Sequence, residues 1–235
     1  MLESIIFLLS VIHSIFGIGL LAIGTPFLLI LNYDFLTILK ILLPCSILIS
    51  IFQIIKTKNI LNNDKKIIYI SLPYVFLGAF IIYILSEKIN FKLIISCTIL
   101  IILFLNFFLK KKLSALINRN KIILISLAGL IHGLTNAGGS LISLIFQGLK
   151  KNKYNLRACI AYAYFFYALV QYSLLNIFKK KVLLDFDSAI LLIYASISYY
   201  LGNVIFKKLK YIYFINILNF IIFLSAVYLL ISEVR

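Results

Sequence analysis

The chain has 235 residues, 63% hydrophobic and 13% charged, with a mean hydropathy of +1.12. An average soluble domain carries about 25% charged residues, so an ordinary cytosolic or secreted globular protein, a disordered chain and a coiled coil are excluded. A multi-span membrane protein remains, with 23 Lys and Arg against 7 Asp and Glu. The basic residues cluster between apolar runs, which is the pattern of loops held against anionic lipid rather than of a nucleic-acid surface.

In chain order the first apolar run, 4–31, is 28 residues long. It begins at once, and Glu3 stands where a signal peptide would carry Lys or Arg, so no cleavable leader is expected. Its middle reads Gly17-Ile-Gly19-Leu-Leu-Ala-Ile-Gly24-Thr25-Pro26. Glycines and a proline break helices. A continuous helix of that length would measure about 42 Å against a hydrocarbon core of about 30 Å. Two half-helices meeting at a turn are predicted. Runs 36–55, 67–85 and 93–109 follow as full helices.

The fifth run, 122–149, repeats the first in length and design, with Gly133-Leu-Thr135-Asn136-Ala-Gly138-Gly139-Ser140 at its centre. Runs 156–178, 187–206 and 212–232 complete the chain. The polar stretches 56–66, 86–92, 110–121, 150–155, 179–185 and 207–210 read as loops too short to hold a further domain. All segments should be helical, because a helix satisfies its own backbone in lipid. No alternation of apolar and polar residues supports a β-barrel.

The expected fold is therefore an all-α polytopic membrane protein forming one domain over 1–235. It consists of two four-segment repeats, about 1–110 and 120–235. Gly24 is matched with Gly139, Lys40 with Arg157, Gln53 with Gln171, and Gly78 with Gly202. Counting loop charges, eight full crossings place 13 and 9 basic residues on the two faces, whereas two re-entrant hairpins and six crossings place 16 and 6. The positive-inside rule favours the second arrangement. Each half then crosses three times, so the repeats are inverted and both termini lie outside the cytoplasm. Broken helices in inverted repeats are a transporter design.

The glycine breaks are the strongest candidate site. Freed N–H groups at half-helix ends bind anions. Gly24, Thr25 and Pro26 would form one half of the site, and Asn136, Gly138, Gly139 and Ser140 the other. Lys40 and Arg157, cations within apolar runs, would attract or bind the anion. His13 and His132, the only histidines, are candidates for proton coupling. They do not occupy equivalent positions in the two halves. Gln53 and Gln171 would face the pathway or bond between helices. The seven acidic residues Glu3, Asp34, Asp64, Glu87, Asp185, Asp187 and Glu233 lie at run boundaries, in loops or at chain ends. A cation carrier would normally need one in mid-membrane. Cys45, Cys97 and Cys159 read as small buried hydrophobes, not as a disulfide framework or metal cluster. No zinc, nucleophile-elbow or phosphate-loop motif suggests an enzyme.

With these residues in view, the chain resembles the sulfite exporter TauE/SafE family over essentially its whole length. The resemblance is carried by the glycine-rich first segment, by Ala128-Gly-Leu-Ile-His-Gly-Leu-Thr-Asn-Ala-Gly-Gly-Ser140 with the following helix from Leu156, and by the two-half plan. The first-half motif departs from the family's richer glycine run, reading Ile23-Gly24-Thr25-Pro26. The resemblance implies transport of small sulfur-containing anions, such as sulfite or organosulfonates, across a bacterial-type plasma (inner) membrane. The expected function is a secondary anion transporter working by alternating access, with no cofactor. The alternatives are a passive anion channel and a non-transporting membrane subunit that needs a partner. Expected partners are a small anionic substrate, membrane lipids and, if the chain self-associates, further copies of itself.

Overall fold

The computed structural model describes residues 2–56, 65–85, 97, 100, 110–136, 138–149, 152–178 and 186–234. Among the described residues there are nine helices and no strand. They are α1 (Leu2–Phe16), α2 (Gly24–Ile30), α3 (Phe35–Ile55), α4 (Lys65–Leu85), α5 (Lys110–Thr135), α6 (Gly138–Leu149), α7 (Lys153–Phe178), α8 (Phe186–Lys208) and α9 (Tyr211–Val234). Run 93–109 lies outside the described residues apart from Cys97 and Leu100, and so do Asp64, Glu87 and Asp185.

Both long apolar runs are broken, as their composition predicts. α1 stops at Phe16 and α5 at Thr135. The 15-residue α1 measures about 22 Å and the 12-residue α6 about 18 Å, short of a bilayer core. Among the described residues, three other helices are long and apolar enough to cross a membrane: Phe35–Ile55, Lys153–Phe178 and Ala189–Lys208.

Two expectations are corrected. The basic stretch 110–121, read as a loop, is helical up to Asn120, whose φ of −120° and ψ of 31° set a kink before the apolar part of α5. Lys, Leu, Ala and Arg are strong helix formers, and no glycine or proline interrupts them there. Cys97, expected to be buried, is exposed, whereas Cys45 and Cys159 are buried.

The packing crosses between the halves. α4 lies along α5, and α8 lies along α1. Gly78 of α4 backs onto Leu130, Gly133 and Leu134, and Gly202 of α8 onto Val11, Ser14 and Ile15. These two sets of contact residues are each 119 positions apart: 11 and 130, 14 and 133, 15 and 134. The same contact is made twice, each time by a helix of one half on the broken segment of the other. Small residues at identical spacing, Ser10 and Ser14 on α1 and Gly129 and Gly133 on α5, recur at that offset. Gly129 and Gly133 let α4 and α5 come backbone to backbone, at Ser71 and Val75. α3 and α7 pack together in the interior, and α7 carries Tyr164, Tyr167 and Gln171 there, all fully buried.

A candidate anion site between two broken helices

At the first break Gly17 takes a left-handed conformation, φ +77°, and donates its N–H to His13 O at 2.8 Å. A left-handed residue of this kind ends a helix, and glycine adopts it at little cost. The chain then folds back, with Gly19 lying directly against the His13 backbone. Helical bonding resumes there, with Ile23 N donating to Gly19 O at 2.9 Å. Pro26 sits in the first turn of α2, where its missing N–H costs little. The Gln53 amide, from α3, donates to His13 O at 3.1 Å and Ser14 O at 3.0 Å. The buried His13 ring accepts from Leu20 N on Nδ1, so in neutral imidazole Nε2 holds the proton and donates to Ser50 Oγ, both at 3.4 Å.

The second break is built alike. Asn136 is left-handed, φ +60°, and its N–H donates to His132 O at 2.8 Å. Gly138 folds against the backbone of Ala128 and His132. The Gln171 amide, from α7, donates to His132 O at 3.3 Å and Asn136 Oδ1 at 2.9 Å. His13, Gly17 and Gly19 thus correspond to His132, Asn136 and Gly138, each pair 119 residues apart. The match of Gly24 with Gly139 is replaced, and the two histidines are equivalent after all. Helix ends are set by the residue able to take positive φ and by the small residue folded behind it, not by glycine count.

A side-chain bond joins the breaks. Asn136 Nδ2 donates to Thr25 Oγ1 at 3.0 Å. Between them stands Tyr164 of α7, edge-on to both histidines at ring-centroid distances of 5.7 Å to His13 and 5.2 Å to His132. Its hydroxyl occupies the space that a side chain on Gly139 would take. Tyr167 flanks His132 at 5.0 Å and shares a 2.6 Å hydroxyl bond with Ser71. Among the described residues, buried His132 Nδ1 and Nε2, Ser140 Oγ and Tyr164 Oη have no hydrogen-bond partner. Such groups cost about 1–3 kcal/mol each when left unpaired.

The remaining predicted residues lie elsewhere. Gly24 packs against the Leu42 and Leu9 methyls, so its missing side chain makes room for leucine. Arg157 is buried, 4% exposed. Its Nη1 donates to Ser14 O at 3.0 Å, its Nη2 to Asn203 Oδ1 at 3.2 Å, and its guanidinium lies 3.5 Å from the Phe206 ring centroid. Lys40 is half-buried in the second turn of α3. It is 13 residues before Gln53, about 20 Å along the helix. The structure thus brings together Thr25, Asn136, Gly138, Gly139, Ser140, both histidines and both glutamines. Tyr164 was missed in the sequence, because a tyrosine within Ala161-Tyr-Ala-Tyr-Phe-Phe-Tyr167 reads as one more apolar residue. The small residues Ala161 and Ala163 beside it were the available signal.

The arrangement has a chemical polarity. Carbonyls freed at a helix break are what a cation would bind. Here His13 O, Ser14 O and His132 O are covered by glutamine amides, and Ser14 O by Arg157 as well. Among the described residues, the buried side-chain atoms left without a partner at the second break are the His132 ring nitrogens, the Tyr164 and Ser140 hydroxyls and one acceptor, Gln171 Oε1; Ser140 lies in the first turn of α6. That end of a helix presents N–H donors and partial positive charge.

No curated protein and no solved structure matches the chain. The family model of the sulfite exporter TauE/SafE matches residues 4–229, and the chain belongs to that family of membrane transporters.

Proposed function

We propose that the protein is a secondary transporter of small anions, sulfite or organosulfonates, working by alternating access in the plasma (inner) membrane. The observation that carries this reading is the covering of the break carbonyls by Gln53 and Gln171 while the His132 imidazole and the Tyr164 and Ser140 hydroxyls are left without partners among the described residues. A sulfonate or sulfite has three acceptor oxygens and negative charge, which suits backbone N–H, hydroxyl and imidazole donors. The contact of Gly78 and Gly202 with matching residues of the opposite half supports an inverted duplication with two re-entrant segments. Rocking of one half against the other would then expose the centre to each side in turn. In this reading Lys40 and Arg157 raise the local anion concentration rather than hold the anion.

The test is flux of labelled sulfite into proteoliposomes, with sulfate and a simple organosulfonate in parallel. Saturable flux with counterflow, lost in Gly139→Leu, is the expected result. Linear, non-saturating flux would identify a channel, and no flux from folded protein would end the carrier reading for these solutes. A reporter fused after Arg235 should read extracytoplasmic, and a cytoplasmic signal would remove the two-hairpin arrangement.

A further inference from the structure

The two breaks share their backbone but differ in how their histidines are satisfied. His13 has both ring nitrogens engaged by the chain itself, through Leu20 N–H and Ser50. Among the described residues His132 has neither engaged, and Tyr164 Oη, on the ring edge-on to it, and Ser140 Oγ, in the first turn of α6, are likewise unpartnered, as is the acceptor Gln171 Oε1. All four residues are at least 99% buried. Gly138 rests on His132 and Gly139 on the Tyr164 hydroxyl, so the histidine and tyrosine both converge on the opening turn of α6. In the first half Leu20 and Leu21 take the positions of Gly139 and Ser140, being 119 residues earlier. The aliphatic side chains there offer no donor.

We infer that one oxyanion head group binds per chain, at the second break alone, held by His132 and Tyr164 at the N-terminus of α6 with Ser140 completing the donors. The first break, whose histidine has both ring nitrogens engaged, holds no anion. This rests on the anion-carrier reading above. An anion removed from water needs donors on each oxygen, and the second break has an imidazole N–H, two hydroxyls and the free N–H groups of a 12-residue helix. His132 then gives its N–H to the anion, as the tautomer facing it requires. Tyr164 is the selecting residue: its hydroxyl lies over Gly139, so an anion reaching the α6 backbone must meet it first.

Equilibrium binding of labelled sulfite to the purified full chain tests the inference. The wild type should bind one sulfite per chain. Tyr164→Phe, which keeps the ring, and Ser140→Ala should each weaken binding about tenfold or more. Ser50→Ala, at the first break, should stay within about twofold, since a first-break change takes no donor from the anion. Thermal unfolding of each variant in the same detergent checks that it is folded. No binding by the wild type, two sulfites per chain, unchanged binding in both Tyr164→Phe and Ser140→Ala, or a Ser50→Ala loss as large as theirs would each overturn it. Sulfite flux is measured separately. Saturable wild-type flux with an unchanged KM in Tyr164→Phe would remove this site and leave the carrier reading standing. Loss of both flux and binding in the wild type would remove both.

Discussion

At the first break α1 ends at Phe16 and α2 begins at Gly24; at the second α5 ends at Thr135 and α6 begins at Gly138. The longer loop lets Leu20 reach back to His13, and Ser50 meets the other side of the ring. The shorter one starts α6 at once and leaves His132 against Tyr164. Two segments with one backbone device can therefore part in chemistry. The histidine is a strut where the chain supplies its partners, and at the second break its ring nitrogens have none among the described residues. The likeness lies in the 119-residue offset of the break residues, and the local loop explains the difference.

The comparison can be broken at four places. The largest effect is expected for Gly138→Ala. An added methyl there meets the Ala128 carbonyl and the His132 backbone, neither of which can yield. No monodisperse folded protein should survive purification, as size-exclusion chromatography in detergent would show. A well-behaved variant would mean that the fold-back at the second break is looser than described. Next is Asn136→Leu. It removes the bonds to Thr25 and Gln171 and forces a bulky residue to φ +60°, together costing about 2–4 kcal/mol. Asn136→Gly, which keeps the backbone but not the bonds, should lose about half of that. Equal losses in the two variants would show that backbone conformation is not what Asn136 contributes.

Arg157→Met should cost about 1–3 kcal/mol in thermal unfolding, because Ser14 O and Asn203 lose a buried donor. The change should alter sulfite KM less than Tyr164→Phe does. A KM effect exceeding that of Tyr164→Phe would return Arg157 to the anion site. The smallest effect is expected for Gly24→Ala. Its methyl would meet only the ends of Leu42 and Leu9, at 3.1 Å. Stability should stay within about 1 kcal/mol, the helix gain of alanine offsetting the crowding. A large loss would mean that Gly24, like Gly138, sits against something rigid.

Much of this design was legible in the residues. Two 28-residue apolar runs with small residues at their centres could not be continuous spans, and the chain breaks both. Gln53 and Gln171, placed 40 and 39 residues after the histidines, do bond to the matching carbonyls. The register of the repeat was harder to read. Glycines are plentiful in both breaks and align in several ways, whereas Ser10-Val-Ile-His-Ser14 against Gly129-Leu-Ile-His-Gly133 has one alignment through its histidine. Tyr164 was hidden for another reason: hydropathy counts its ring and overlooks its hydroxyl.

By itself the sequence determined that the chain is a helical membrane protein with two interrupted segments. Apolar length, helix breakers and loop charge act locally and survive without any knowledge of neighbours. Tertiary structure alone decided which polar atoms meet. Whether His13 or His132 keeps a free donor depends on groups 37 residues away at Ser50 and on a tyrosine from α7. That choice is made by packing across the two halves. A buried polar group is defined by what lies opposite it, and nothing in its own stretch of chain records that.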